Sequence, residues 1–150
     1  MPQSLAQVTV HAIFSTKLRN KCLDFETQIE LHAYLATVLR NLGAIPIKIG
    51  GHEDHLHMLF NESRTQSLAK TMEVTKSSTS QWLKTKGDRL ANFSWQGGYG
   101  AFGVSHKDVP LAIQYISNQH EHHRVVSFQD ELRSLLTENG VEFDEKYLWD

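Results

Sequence analysis

The alternation of hydrophobic and polar residues changes period several times along this chain, and each change marks an element. Residues 7–15, QVTVHAIFS, are rich in β-branched and aromatic side chains and predict a strand with Val8, Val10, Ala12 and Phe14 on one face. Next, Ile29, Leu31, Tyr34, Leu35, Val38, Leu39 and Leu42 recur at helical spacing, with Asp24 at the N-cap position and Asn41 and Gly43 marking the end. AIPIKI at 44–49 and HLHMLF at 55–60 predict two short strands joined as a hairpin through Gly50–Asp54, and Pro46 suits an edge position. Residues 65–86 predict a long polar helix that buries Leu68, Met72, Trp82 and Leu83. A glycine- and aromatic-rich stretch, 93–105, follows, and its end, 100–104, reads as a strand. Residues 108–122 predict a helix with Asp108 near its start and Pro110 in its first turn. Ser127 caps a last helix, 128–139, stopped by Gly140. The order β-α-β-β-α-β-α-α predicts an α+β fold of the ferredoxin-like or RRM-like kind: an antiparallel sheet with helices packed on one face.

Composition adds bounds to that picture. With 150 residues, 40% hydrophobic and 21% charged, the chain is expected to form one domain over 1–150, with the acidic segment 128–150 packed on it or extending from it. No apolar run is long enough to span a membrane, and the N-terminal stretch lacks the basic-then-apolar pattern of a secretory leader, so a cytoplasmic protein is expected. The single cysteine, Cys22, excludes a disulfide framework and a multi-cysteine zinc site. The formal net charge of -2 gives no global pull toward nucleic acid. Its distribution is uneven, however. Residues 64–89 carry a net +4, Lys17, Arg19 and Lys21 form a second basic cluster, and residues 128–150 carry -5. Either the surface is simply solvated with an acidic tail, or a basic face that meets phosphates is masked in the total.

Four groups of residues carry candidate chemistry. In His55-Leu56-His57, two imidazoles two positions apart on a strand share a face, with Leu56 turned into the core. They either hold one divalent ion or are ordinary hydrogen-bonded histidines, and Asp54 and His52 just upstream tune or join such a site. Tyr115 and Gln119 lie one helical turn apart, with His122 continuing the face. The tyrosine is either a half-buried packing residue or a nucleophile beside a metal-bound phosphate, where the Gln119 carboxamide oxygen completes the ligand set. Phe93, Trp95, Gln96, Gly97, Gly98, Tyr99 and Gly100 either stack nucleic-acid bases or close the core beneath the long helix. His120, His122 and His123 form a second metal site, a proton relay or phosphate contacts, or merely decorate a helix end.

Taken together, these stretches resemble the small single-tyrosine HUH transposases of bacterial insertion sequences, the IS200-like group with its repeat-associated relatives. The resembling pieces are T-K-L-R (Thr16–Arg19), G-G-H-E-D-H-L-H-M-L (Gly50–Leu59), K-S-S-x-S-x-W-L (Lys76–Leu83) and W-Q-G-G-Y-G-A-F-G-V-S (Trp95–Ser105). Y-I-S-N-Q-H-E-H-H (Tyr115–His123) and F-x-x-E (Phe128–Glu131) complete the set, in order and across nearly the whole chain. The resemblance implies His55 and His57 as metal ligands, Gln119 as the third ligand and Tyr115 as the nucleophile. It implies an enzyme that cleaves and rejoins single-stranded DNA at insertion-sequence ends through a 5′-phosphotyrosine, with Mg²⁺ or Mn²⁺ as cofactor. Expected partners are single-stranded DNA with hairpins at the element ends and a second copy of the chain in a homodimer, in a bacterial or archaeal cytoplasm. His52, Asp54 and His122 are expected in supporting roles. Lys17, Arg19, Arg64, Lys70, Lys76, Trp95 and Tyr99 are expected DNA contacts from charge and position. Two alternatives stand beside this: a non-catalytic or domesticated hairpin-DNA-binding protein on the same fold, and a hydrolase of small phosphoesters that uses water.

Overall fold

Strand β1 (Thr9–Ser15) is buried along its whole length, and the rest of the chain is arranged around its two faces. The computed structural model describes residues 2–149, so Met1 and the final acidic residue, Asp150, lie outside the described residues. β1 pairs with β3 (His55–Asn61) on one side and β4 (Gly100–Gly103) on the other, and β2 (Ile45–Gly51) adds to β3. The four-stranded sheet has the order β2-β3-β1-β4 and every pairing is antiparallel. The expected α+β fold with an antiparallel sheet is therefore present, with helices on both of its faces rather than on one. Pro46 does lie on an edge strand, where the register shifts between Pro46 and Lys48.

Period-two alternation divides β1 and β3 between two environments. Val10, Ala12 and Phe14 join Leu56, Met58 and Phe60 on the face covered by α1 (Phe25–Asn41) and α2 (Leu68–Leu83). Asp24 caps α1 as expected, accepting the Thr27 amide at 2.8 Å. The buried side of α1 is Gln28, Leu31, Leu35, Val38 and Leu39, while Ile29 faces out. α2 is shorter than expected because Ser67 caps it. Its buried stripe also differs: Thr71, Thr75 and Thr79 line it beside Met72 and Leu83, with Leu68 and Trp82 at the margin. Val8, expected on the inner face, precedes β1 and is exposed.

The opposite face of the sheet is also covered. Ile13 and Phe102 pack with Phe128, Leu132 and Leu136 of α5 (Phe128–Glu138), which Ser127 caps by accepting the Asp130 amide. α3 (Val109–Ser117) lies over β2 and β3, and the short α4 (Gln119–His122) follows it. Residues 108–122 thus form two helices rather than one. Asn118 sits at φ -98°, ψ 21°, and its amide is shared between the Gln114 and Tyr115 carbonyls at 3.1 and 3.3 Å. Asparagine is a poor interior helix residue, and the chain breaks there. α3 comes close to the sheet at Gly50, where a Cβ would lie 2.8 Å from the Ile116 carbonyl oxygen and 2.7 Å from its Cγ2. No helix among the described residues is long and apolar enough to cross a membrane.

Candidate active site

The second face of β3 carries His55 and His57, both almost fully buried, with Leu56 turned into the opposite core. Antiparallel pairing sets Ser15 opposite His55 and Ile13 opposite His57, and His11 sits diagonally beside them. From above, α3 and α4 bring Tyr115 and Gln119, the α4 end brings His122 and His123, and α5 brings Glu131. The pair expected from the sequence, His55 and His57, thus meets Tyr115 and Gln119 within one chain. The Tyr115 ring stands 5.7 Å from that of His57, and His55 Nε2 is 2.9 Å from Gln119 Oε1.

Each imidazole is oriented by a partner on its far nitrogen. His55 Nδ1–H donates to Asp54 Oδ1 at 2.7 Å. His123 Nδ1–H donates to the Val126 carbonyl at 2.6 Å, and His57 Nδ1 meets His11 Nε2 at 2.8 Å. Asp54, one of the residues expected in a supporting role, thus lies against the His55 ring. Burial, with His57 alongside, lowers the His11 pKa to about 3, and burial also lowers that of His57. Neutral imidazole is the form that ligates metal. His55 Nε2, once Nδ1 carries the proton, presents a lone pair to the Gln119 carbonyl oxygen. Two acceptors facing each other at this distance are reconciled by a cation between them, so His55, His57 and Gln119 fit a divalent ion.

Glu131 is the centre of the cluster and is 2% exposed. Its Oε1 lies 3.1 Å from His57 Nε2, 3.1 Å from His123 Nε2 and 3.4 Å from His55 Nε2. Its Oε2 accepts a short hydrogen bond from the Tyr115 hydroxyl and one from Gln119 Nε2 at 3.2 Å, with His122 Nε2 also 3.2 Å away. Burial disfavours the carboxylate, but hydrogen bonds from His123 and His57 hold its pKa well below the usual range. Burial first, and then Glu131, push the Tyr115 phenol well above its ordinary value. His123 is raised, because Glu131 outweighs its burial.

Glu131 and His11 have no role in the sequence reading, and His123 only a shared one with His120 and His122, as a second metal site, proton relay or phosphate contact. The only signal for the first is the F-x-x-E of Phe128–Glu131, and for His123 its place in the triple-histidine stretch. His52, expected beside the pair, instead meets His120 at 3.1 Å and stacks at 5.6 Å on His123.

The expected DNA contacts divide. Trp95 is a correction: it is 6% exposed, packs edge-on against Phe14 and Phe93, and donates its indole N–H to Thr79 Oγ1 at 3.0 Å. A side chain so enclosed has no face to offer a base, and the core-closing reading of this stretch holds for it. Lys76 is also committed, with Nζ 2.7 Å from both the Gln96 and Gly98 carbonyls. Arg64 bonds the Ser4 carbonyl, Lys70 pairs with Glu73, Lys86 with Glu30 and Arg89 with Asp24. The basic stretch 64–89 is therefore largely engaged within the chain, though its exposed pairs are weak and exchangeable. Arg19 lies against Trp149, 5.4 Å from its ring centre. Lys17 and Tyr99 are exposed. A cleft of about 380 Å³ borders the cluster, lined among others by Leu18, Arg19, Lys21, His52, Asp54 and His123.

Comparison with known proteins comes to the same architecture. A family profile described as IS200-like transposase matches residues 4–119, ending at Gln119 and before His123 and Glu131. A crystal structure of a protein from Deinococcus radiodurans R1, assigned as a transposase, superposes with a TM-score of 0.62 at 20% identity, covering 79% of this chain and 98% of that one. The structure of a REP-associated tyrosine transposase bound to a REP hairpin superposes with a TM-score of 0.61 at 14% identity, covering 84% of this chain and 74% of the other. No curated protein sequence matches the chain significantly.

Proposed function

Because the chain belongs to the family of IS200-like transposases, we propose that it cleaves and rejoins single-stranded DNA by transesterification, with Tyr115 as nucleophile. The observation that carries this reading is the convergence of the Tyr115 hydroxyl, His55, His57 and Gln119 at one buried cluster beside an open cleft. His55, His57 and Gln119 hold a divalent ion, Mg²⁺ or Mn²⁺, which when bound polarises the scissile phosphate and stabilises developing negative charge.

The chain's own groups account for the remaining steps. The Tyr115 hydroxyl is protonated at neutral pH, since burial and Glu131 both disfavour the phenolate. Glu131 Oε2 accepts its hydrogen bond and orients the oxygen for attack on phosphorus; held acidic by His123 and His57, it passes the phenolic proton on rather than keeping it, and that proton ends on the departing 3′ oxygen. The Tyr115 O–P bond forms, the P–O3′ bond breaks, and the departing 3′ oxygen leaves as a hydroxyl after protonation. The 5′-phosphotyrosine conserves the bond energy, so a 3′-hydroxyl from another cleaved end reseals the strand without a nucleotide cofactor. Asp54 and His11 hold the two β3 imidazoles in place through their far nitrogens. Tyr115 acts on its own chain's histidines. Single-stranded DNA with hairpins at element ends is the substrate, by analogy with the hairpin-bound relative, and the working unit is a homodimer. Arg19 and Lys21 at the cleft favour approach of phosphates.

Incubation with a hairpin-bearing oligonucleotide and Mn²⁺ or Mg²⁺ should yield a covalent protein–DNA adduct on a denaturing gel. Tyr115→Phe should abolish it. An adduct that persists in Tyr115→Phe removes that residue from the mechanism. Hairpin binding without cleavage under any ion, unaffected by His57→Ala, would favour a purely binding role.

A further inference from the structure

The metal site described above uses two imidazoles and one amide, yet two further side chains reach the same point from beyond residues 4–119, which the family profile matches. We infer that His123 and Glu131 are also metal ligands, so that one chain supplies three imidazoles, an amide oxygen and a carboxylate to a single ion, a set that selects a transition-metal ion over Mg²⁺. This rests on the reading of His55, His57 and Gln119 as a metal site.

The donor spacing is the first argument. Bonds of about 2.1 Å set neighbouring ligands about 3.0 Å apart in an octahedral arrangement and about 3.4 Å in a tetrahedral one. Gln119 Oε1 lies 2.9 Å from the Nε2 atoms of both His55 and His123. Glu131 Oε1 lies 3.1, 3.1 and 3.4 Å from those of His57, His123 and His55. Each of these five separations is that of neighbouring ligands on one ion, and the Glu131 carboxylate is common to the donor groups His55–His57–Glu131 and His122–His123–Glu131.

Hydrogen-bond bookkeeping is the second. His123, like His55, has its Nδ1 proton taken by a fixed acceptor, the Val126 carbonyl in one case and Asp54 in the other. His55 turns a lone pair toward an oxygen that is itself an acceptor, and His123 Nε2–H, which donates to Glu131, yields its proton when an ion takes that proton's place. A cation at the centre satisfies all of them together.

Charge is the third. Among the described residues no lysine or arginine pairs with Glu131; its charged-capable partners are His55, His57, His122 and His123. A carboxylate this deeply buried is normally paired or ligated to metal. The chemical type of the ion follows from the donors. Imidazole suits Fe²⁺, Ni²⁺ and Zn²⁺, with Co²⁺ between the first two in affinity, whereas Mg²⁺ takes oxygen ligands and keeps its waters. Oε2 of the same carboxylate stays on Tyr115, so one side chain fixes both the ion and the nucleophile.

Co²⁺ is a suitable probe, added to full-length protein stripped with chelator and free of DNA. Wild type should bind one Co²⁺ per chain with visible ligand-field absorption, and a hundredfold excess of Mg²⁺ should not displace it. Proton NMR of the Co²⁺ form should show three strongly shifted, solvent-exchangeable imidazole N–H signals, one each from His55, His57 and His123. Glu131→Gln and His123→Asn should each weaken Co²⁺ binding about a hundredfold or more, since loss of even an outer partner costs ten- to a hundredfold. Two shifted signals in the wild type, or unchanged affinity in Glu131→Gln, would overturn the inference; the wild-type signal count stands even if a variant misfolds. His57→Ala separates the two readings. If it abolishes Co²⁺ binding while Glu131→Gln does not, only the extra ligands fail. If neither matters, the metal site itself fails.

Discussion

Phe14, Leu56, Met58 and Phe60 on one face of the sheet carry no polar side-chain atom and are fully buried under α1 and α2. His11, Ser15, His55 and His57 alternate with them along the same two strands, are equally buried, and carry little else but polar chemistry. A one-residue slip between β1 and β3 would exchange the two sets. It would drive imidazoles against leucines on one side and take the strand histidines away from the other. Register is thus specified twice, once by burial and once by the histidine cluster. The difference teaches that stability and chemistry can be read separately here, although they share a backbone.

The sharpest way to break that separation is a pair of substitutions. Phe60→Ala should cost about 3–5 kcal/mol of unfolding free energy in denaturant titration. His57→Ala should cost clearly less while eliminating the metal-dependent adduct. Equal losses of stability would mean that the polar face holds the fold together as much as the apolar one does.

Gly50→Ala tests the link between the faces. The added Cβ meets the Ile116 backbone oxygen at 2.8 Å, so α3 must lift from β2. Overpacking of this kind costs about 1–3 kcal/mol. Because Tyr115 neighbours Ile116, the rate of adduct formation should fall further than stability does, measured by adduct yield against thermal unfolding.

Acid should weaken the polar face before the apolar one. The His11 pKa is lowered to about 3 and that of His57 is lowered too, so below pH 6.5 the unfolded chain takes up protons that the folded chain refuses. Stability should therefore drop as pH falls through and below 6.5, by about 1.5 kcal/mol from His11 alone between pH 6.5 and 5. His123 is raised and works the other way, its contribution being complete below pH 6.5 and lost as pH rises past its folded value. Unfolding of chelator-treated protein at several pH values should show a net acid loss, flattened in His11→Asn.

The smallest effect is expected at Trp95→Phe. It removes the indole hydrogen bond to Thr79 and should cost about 1 kcal/mol. Hairpin affinity should not change, since Trp95 belongs to the apolar side.

These two regions were unequally legible in the sequence. Asp24, Gly43, the hairpin around Gly50 and the alternation in β3 are local signals, and the elements they announce are present. The H-x-H pair is legible because strand geometry alone sets both side chains on one face. Glu131 and His123 are legible only in part. Nothing local marks them as partners of His55, because α5 meets β3 through tertiary packing of Phe128 and Leu132 on Ile13 and Phe102. Asn118 hides inside a periodic apolar pattern, although its weak helix propensity is a fair warning. Trp95 misleads because a loop has no period from which its inward direction can be read.

α5 has a consequence for comparing related chains. Its Phe128, Leu132 and Leu136 seal the second face of the sheet while Glu131, on the same helix, reaches the cluster. A reading frame cut short after residue 126 would keep the H-x-H pair, the tyrosine and the glutamine. It would also lay bare Ile13 and Phe102, so the remnant would look intact by motif and be poorly folded in fact. Decayed copies of such a gene are therefore better recognised by the loss of the terminal apolar spacing than by the survival of the histidines.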